Sequence, residues 1–184
     1  MENETERQVM HFLVGIATIA LMFYLGRHFM VAAIFFIILA GMLVINLRLN
    51  GMKLGIVEWF VKRFERKDVL FPGFGAATFA TGTLIPMVFL ADTSQVAACI
   101  FILAVGDGVS TLVGRAGRIK LPYNKEKTIE GTAAFLVASA PAYYFVGPAI
   151  IPVAIISSLV ESIDFGVDDN LMVPIVCTLF FLIA

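Results

Sequence analysis

Histidine and cysteine are scarce in this sequence, and so are the common nucleotide-binding and nucleophile motifs. The 184 residues include two histidines and two cysteines, whereas zinc sites take several ligands of these types. The absence of a G-x-x-x-x-G-K-[ST] run excludes a P-loop. No G-x-S-x-G run occurs and no histidine lies near Ser110 in sequence, which argues against a serine nucleophile.

Charged residues are also few. They make up 15% of the chain against 60% apolar residues, and the mean hydropathy is +0.94. A soluble domain has about 25% charged and about 45–50% apolar residues. The net charge of −1, with most basic residues in two segments, argues against nucleic-acid binding. We therefore predict one multi-pass membrane domain over residues 1–184.

Apolar runs near the length that crosses a bilayer, about 20 residues, recur along the chain. They predict an all-α integral membrane bundle of about seven transmembrane helices: Val9–Leu25, His28–Leu47, Phe74–Ala91, Gln95–Gly114, Ile129–Val146, Ala149–Ile163 and Leu171–Ala184. Prolines in or beside these runs predict kinks or breaks. The segment Met52–Lys67 has apolar residues at helical spacing opposite charged ones. It predicts an amphipathic helix on the cytoplasmic membrane surface.

The basic residues predict one orientation. With seven spans and a cytoplasmic N-terminus, all 13 lysines and arginines except Arg27 lie on the cytoplasmic side, as the positive-inside rule requires. The same topology puts Asp168 and Asp169 on the side of Asp107 and of the basic segment Arg115–Lys127. The groups able to do chemistry are therefore expected to face the compartment that holds nucleotides.

Asp107 is the most informative residue of the chain. It lies in an otherwise uncharged run from Thr93 to Gly114, between Gly106 and Gly108. A carboxylate at mid-bilayer costs roughly 2.5–3.5 kcal/mol on insertion scales, so such residues are usually functional. The flanking glycines would let the backbone approach a ligand closely.

Carboxylates followed by cations are the parts that phosphoryl transfer needs. Magnesium is usually held by one or two carboxylates together with substrate phosphates, and cations absorb the charge of the transferring group. Three simpler interpretations stay open. The Arg115–Lys127 cluster can be a topology signal alone, Glu130 can favour a helix start, and the Asp168–Asn170 turn can be a cap formed by Asn170.

The motifs together resemble one enzyme family. They are Gly106-Asp107-Gly108, Gly114-Arg115-x-Gly117-Arg118, Lys127-Thr128-Ile129-Glu130-Gly131-Thr132, Glu161 and Asp168-Asp169-Asn170-Leu171 with Pro174, preceded by Arg7-x-x-x-His11. This set resembles the polyprenol kinase family, which comprises CTP-dependent dolichol, phytol and diacylglycerol kinases. The resemblance covers nearly the whole chain. It implies a multi-pass enzyme that phosphorylates a membrane lipid alcohol, with CTP as donor and Mg²⁺ as cofactor.

Two other functions fit the sequence less well. Phosphatidate cytidylyltransferases, which make CDP-lipids, share a similar basic loop and a Lys-x-x-Glu-Gly segment. Their pattern continues with basic residues, whereas this chain ends in carboxylates, with no lysine or arginine after Lys127. A transporter or scaffold would predict repeat symmetry, which the sequence does not show.

We therefore assign candidate roles by residue. The predicted catalytic residues are Asp107, Glu130 and Asp169. The predicted metal ligands are Asp107, Glu161, Asp168 and Asp169. The predicted nucleotide-binding residues are Gly106, Gly108, Arg115, Arg118, Lys125, Lys127, Gly131 and Asn170. The expected partners are CTP, a lipid alcohol and the bilayer. We expect the active site on the cytoplasmic face, in the cell membrane of a prokaryote rather than in the endoplasmic reticulum.

Overall fold

A computed structural model describes residues 4–52, 54–64 and 69–184. Within these ranges the chain is helical, and its extended pairing is limited to an isolated bridge between Lys120 and Thr128. The predicted all-α class is confirmed. Of the predicted amphipathic segment, Lys53, Arg66 and Lys67 lie outside the described residues.

The first two helices are long and apolar. Helix α1 covers Glu4–Leu25 and α2 covers Arg27–Leu49, so both begin and end close to the predicted spans. The break between them falls at Gly26, whose φ of 89° is one that glycine adopts without strain. A connection this short makes the two helices antiparallel neighbours, and they pack together.

Helix α3, Gly55–Phe64, is the predicted amphipathic helix. Arg48 Nε donates a 2.8 Å hydrogen bond to Glu58, and Arg63 donates one of 2.7 Å to Glu6 on α1. The Trp59 and Phe60 side chains stay exposed. The ion pairs thus fix α3 beside the N-terminal end of α1, while its contact with a membrane surface stays a prediction.

The middle of the chain forms the core of the bundle. Helix α4, Phe74–Phe89, is followed by α5, Thr93–Phe101, a π-helical stretch over Ile102–Asp107, and α6, Gly108–Ala116. In the most apolar stretch of Thr93–Ala116, 72% of the residues are buried, against 11% in α2. Helices α1 and α4 pack against this central helix. It is therefore surrounded by protein, whereas α2 has a large outer surface.

The last third of the chain contains a helical hairpin. Helices α7, Ile129–Ser139, and α9, Ile150–Ser162, pack against each other. They are joined by the short helix α8, Tyr143–Val146, between 3₁₀ turns that contain Pro141 and Pro148. These turns interrupt the α-helical hydrogen bonds near the predicted boundary, and the assignment of two separate spans stays a prediction. Helix α10, Asp169–Ile183, then packs on α4 and α9.

The helices fit a membrane bundle. Four helical runs are long and apolar enough to cross a membrane: Glu4–Leu25, Arg27–Leu49, Thr93–Ala116 and Ile129–Ser162. Phe74–Phe89 and Asp169–Ile183 are shorter apolar helices. The membrane class is confirmed, and the count of seven spans stays a prediction. Pro86 and Pro174 lie inside helices α4 and α10, which continue through them.

Candidate active site

Asp107 is the last residue of the π-helical stretch in the central helix. It is 5% exposed, and its Oδ1 has no hydrogen-bond partner among the described residues. Short π-helical insertions are rare and are often found at functional sites. Because a buried polar atom without a partner is costly, this oxygen is a candidate ligand for a molecule that the protein binds.

The loop between α6 and α7 is folded back on itself and brings Lys127 toward the core. Ile129 N donates to Ile119 O at 2.9 Å, and Leu121 N donates to Lys127 O at 3.1 Å. Thr128 caps α7, since its Oγ1 accepts a 3.1 Å hydrogen bond from Gly131 N. The cap fixes the residue directly after Lys127.

Lys127 joins two carboxylates from separate helices. Its Nζ donates to Glu161 Oε1 at the end of α9 and, at 2.8 Å, to Asp169 Oδ2 at the start of α10. Burial alone would lower the pKa of Lys127, but the charges of neighbouring carboxylates, Asp169 first, outweigh it and hold the pKa above its usual value. The lysine is therefore protonated at neutral pH.

Three carboxylates form a compact cluster around this lysine. Asp107, Glu161 and Asp169 each offer an oxygen, and these oxygens lie within 4.8 Å of one another. With all three carboxylates ionised and Lys127 protonated, the cluster would carry a net charge of −2, which one divalent cation would balance. Carboxylate oxygens are the ligands that Mg²⁺ prefers.

The cluster also has the unsatisfied donor atoms that a cation would need. Glu161 is 1% exposed and its Oε2 has no partner within the described parts of the chain, as is the case for Asp107 Oδ1. Buried polar atoms almost always have a partner, and a bound cation would be a partner for both oxygens. The residues present therefore fit a bound divalent cation.

A cavity of about 440 Å³ opens beside the cluster. Its wall includes Glu161, Asp168, Asp169, Lys127 and Arg115. Asp107 does not line the cavity, but one of its oxygens lies within 4.8 Å of oxygens of Glu161 and Asp169, which do. The cavity therefore combines acidic and basic side chains in the way that a metal–phosphate ligand requires.

Three other predicted site residues lie away from the carboxylate cluster. Arg118, Lys125 and Glu130 lie outside the cavity wall. Glu130 accepts hydrogen bonds from the backbone N–H groups of Arg118, at 2.8 Å, and Ile119, at 3.2 Å. The observed position of Glu130 is thus that of an anchor for the loop, and its catalytic role stays a prediction.

The Asp168–Asn170 turn divides into three different positions. Asp168 caps α10, since its carboxylate accepts a 3.0 Å hydrogen bond from Asn170 N. The alternative in which Asn170 is the cap is therefore wrong. The buried Asn170 side chain instead donates to Thr78 Oγ1 at 3.3 Å, which joins α10 to α4. Only Asp169 enters the carboxylate cluster.

The predicted glycines lie at helix contacts. A methyl group added at Gly106 would collide with Ser139 Oγ, and one at Gly131 would lie 3.0 Å from Gly114 Cα. One at Gly108 would reach within 3.4 Å of Gln8 Oε1. These glycines let the central helix approach α7 and α1 closely, and they do not line the cavity.

Sequence reasoning missed several polar contacts. Ser110 Oγ donates to Glu161 Oε1 at 3.1 Å. The Tyr123 hydroxyl lies 2.8 Å from Ser162 Oγ, and Asn124 Nδ2 donates to Ser162 O at 3.1 Å. A signal existed for Ser110 alone, because it lies three residues after Asp107 and thus on the same helix face.

Comparisons with known proteins agree with the motifs. An uncharacterized protein of Methanocaldococcus jannaschii is 38% identical over 115 residues, which cover 61% of this chain and 58% of that protein. A chloroplastic farnesol kinase of Arabidopsis thaliana is 29% identical over 171 residues, covering 80% of this chain and 55% of the relative. A probable chloroplastic phytol kinase of Glycine max is 34% identical over 115 residues, covering 52% of this chain and 36% of the relative.

The chain covers less than two thirds of each of these relatives. No protein-family model matches it, and no solved structure matches it. The relatives with assigned names are nevertheless kinases of two isoprenoid alcohols. The resemblance predicted from the motifs is confirmed, since the chain is similar to proteins named farnesol kinase and probable phytol kinase.

Proposed function

We propose that the protein is a lipid-alcohol kinase that transfers the γ-phosphoryl group of CTP to the hydroxyl of a membrane lipid. The observation that carries the proposal is the cluster of Asp107, Glu161 and Asp169 around Lys127, beside a cavity at one end of a membrane bundle. The relationship to proteins named farnesol kinase and phytol kinase supports the same chemistry.

The carboxylate cluster would hold Mg²⁺. Bound there, the ion would supply positive charge to the phosphate group that is transferred. Asp107, Glu161 and Asp169 supply the oxygens, two of which are buried and unpartnered among the residues described. Asp168, the fourth predicted ligand, is the cap of α10 and faces the cavity from its edge.

Basic side chains of the cavity wall would bind the phosphates. Lys127 and Arg115 both line the cavity. A lysine acts on phosphate as a compact charge, whereas arginine can donate two parallel hydrogen bonds. Held between Glu161 and Asp169, Lys127 is restricted in position and keeps its proton.

The proposed reaction is a single in-line displacement. The lipid hydroxyl oxygen forms a bond to the γ-phosphorus, the bond from that phosphorus to the β–γ bridging oxygen breaks, and CDP leaves. The hydroxyl proton passes to a carboxylate. We propose Asp107 as the acceptor, because Glu161 and Asp169 are already paired with Lys127. One oxygen of the Asp107 carboxylate would hold the cation and the other would receive the proton.

The acceptor is proposed to be an isoprenoid alcohol of the polyprenol, dolichol or phytol type, or else diacylglycerol. Its apolar tail would lie in the bilayer against the outer surface of the bundle, where many large apolar side chains are exposed. The cavity and the N-terminus are proposed to be cytoplasmic, in the cell membrane of a prokaryote. This orientation gives the nucleotide access from the aqueous side.

The test is transfer of label from γ-labelled CTP by the detergent-purified chain, with farnesol, phytol, a polyprenol and diacylglycerol as acceptors. We expect a labelled lipid monophosphate and CDP with at least one acceptor. Asp107→Asn, which keeps the size and removes the charge, should abolish turnover. Asp92→Asn is a matched control, since Asp92 caps α5 outside the cluster.

Two results would overturn the proposal. Release of pyrophosphate from CTP with a lipid phosphate, giving a CDP-lipid, would assign the protein to cytidylyl transfer. Full activity of Asp107→Asn would remove the carboxylate cluster from the mechanism. A parallel reaction with γ-labelled ATP establishes whether CTP is the preferred donor.

A further inference from the structure

Ser110 forms an unusual contact for a serine in an apolar helix. Serines in helices commonly donate to a carbonyl three or four residues back, and the described residues include two such cases. Ser158 donates to Ile155 O at 2.9 Å and Ser162 donates to Leu159 O at 2.7 Å, both within α9. Ser110 instead reaches from α6 to another helix, where it donates to Glu161 Oε1.

This contact gives the two oxygens of Glu161 different environments. Oε1 accepts hydrogen bonds from Ser110 Oγ and Lys127 Nζ, while Oε2 is buried and has no partner within the described residues. Of the two donors, Lys127 is shared with Asp169 and ends a long flexible side chain. The short Ser110 side chain, 3% exposed on a rigid helix, is the donor with a fixed position.

We propose that Ser110 is a positioning residue for the divalent-cation site. Its hydroxyl holds Oε1 of Glu161, so that Oε2 is presented to the cation. The inference rests on the proposed function, because it presupposes that the carboxylate cluster binds a cation. Ser110 itself is not a ligand and not a nucleophile in this account.

The size of the effect follows from groups with the same role elsewhere. Side chains that orient a metal ligand typically change metal affinity by about 10–100-fold when removed. We therefore expect Ser110→Ala to weaken cation binding at least about 10-fold and to raise the Mg²⁺ concentration for half-maximal turnover to a similar extent. Ser110→Thr keeps the hydroxyl and should retain affinity within a few-fold. The KM for CTP at saturating Mg²⁺ should change little in either variant.

The experiment measures Mn²⁺ binding to the detergent-purified chain by electron paramagnetic resonance, without nucleotide or lipid. The proteins compared are the wild type, Ser110→Ala, Ser110→Thr, Glu161→Gln and Asp107→Asn. Ser158→Ala is the matched control, because Ser158 is equally buried but bonds only within α9. The double variant with Ser110→Ala and Glu161→Gln tests whether Ser110 acts through Glu161. If it does, the double variant binds Mn²⁺ no more weakly than Glu161→Gln alone.

The outcomes separate the two proposals. Weaker Mn²⁺ binding in Ser110→Ala, with the control at wild-type affinity, supports the positioning role. If Ser110→Ala binds Mn²⁺ like the wild type while Asp107→Asn does not, the positioning role is overturned and the cation site stands. If the wild type and Asp107→Asn bind Mn²⁺ equally weakly, the cation site fails, and the role of Ser110 fails with it. Equal losses in Ser110→Ala and Ser158→Ala would point to general destabilisation and would also overturn the inference.

Discussion

The two basic segments of this chain are alike in sequence and different in structure. The segment around α3 and the loop before α7 each contain several lysines and arginines. Arg63 pairs with Glu6 where both side chains are more than a third exposed, whereas Lys127 pairs with Glu161, whose side chain is 1% exposed. In the predicted topology, both segments lie on the cytoplasmic side, as the positive-inside rule requires. The number of basic residues therefore does not distinguish a topology signal from a functional site. The burial of the acidic partner does distinguish them.

The energetics of the two pairs should differ in the same direction. Exposed ion pairs contribute about 0–1 kcal/mol because water and salt screen them. Removing one partner of a buried pair costs about 3–5 kcal/mol, since the other charge is left without compensation. Substitutions in the two segments should therefore give unequal effects.

The largest effect is expected for Lys127→Met, which keeps a side chain of similar length and removes its charge. Loss of a preorganised electrostatic group commonly lowers turnover by about 10²–10³-fold, and we expect kcat/KM for CTP to fall by this order. Arg63→Met is the control in the other segment and should leave kcat/KM unchanged. Equal effects of the two substitutions on kinase activity would remove the distinction between the segments.

A second, smaller effect is expected at Glu130, which anchors the loop that carries Lys127. Because it accepts hydrogen bonds from the backbone of Arg118 and Ile119, Glu130→Gln should loosen the loop and lower kcat/KM by about 10-fold through misplacement of Lys127. A catalytic carboxylate would instead lose about 10²–10⁴-fold on this change. Glu58→Gln is the control, because Glu58 lies on α3, pairs with Arg48 and does not line the cavity. Steady-state rates of the three proteins decide between an anchor and a catalytic group.

The fold could be predicted from sequence because run length and hydropathy are local properties. The helices from Glu4 to Leu49 follow their apolar runs closely, and the hairpin between α7 and α9 follows from the prolines. The meeting of Lys127 with Asp169, 42 residues apart, was within reach because the predicted topology put both on one face.

Helix rotation was the part that the sequence did not reveal. Whether Ser110 reaches Glu161, and whether Gly106 and Gly131 face a ligand or a helix, depends on how each helix is turned about its axis. That rotation is set by close contacts such as Gly131 against Gly114. Hydropathy reports which segments are apolar and does not specify these contacts.

A smaller effect is expected at Tyr123, which ties the loop to α9. Tyr123→Phe removes the hydroxyl that lies 2.8 Å from Ser162 Oγ. A neutral hydrogen bond contributes about 0.5–1.5 kcal/mol, so the loop should open more often without losing its position entirely. We expect faster limited proteolysis between Gly117 and Thr128 and a change in kcat/KM of at most a few-fold. Tyr24→Phe, where the tyrosine is 84% exposed, should change neither measurement.

The smallest effect is expected at the ion pair between Arg63 and Glu6. Its two atoms are 2.7 Å apart, but both side chains are partly in water, and Arg63 also lies 5.9 Å from the Trp59 ring centroid. A double-mutant cycle with Arg63→Gln and Glu6→Gln should give a coupling free energy of about 0.2–1 kcal/mol in thermal unfolding, falling as salt is raised. The contact with Trp59 is lost in the single Arg63→Gln variant and in the double variant alike. It therefore cancels in the cycle, which reports the ion pair alone. A coupling of 3 kcal/mol or more, unchanged by salt, would mean that the pair is shielded from water. The segment around α3 would then be a second buried charge site, and the contrast with Lys127 would no longer hold.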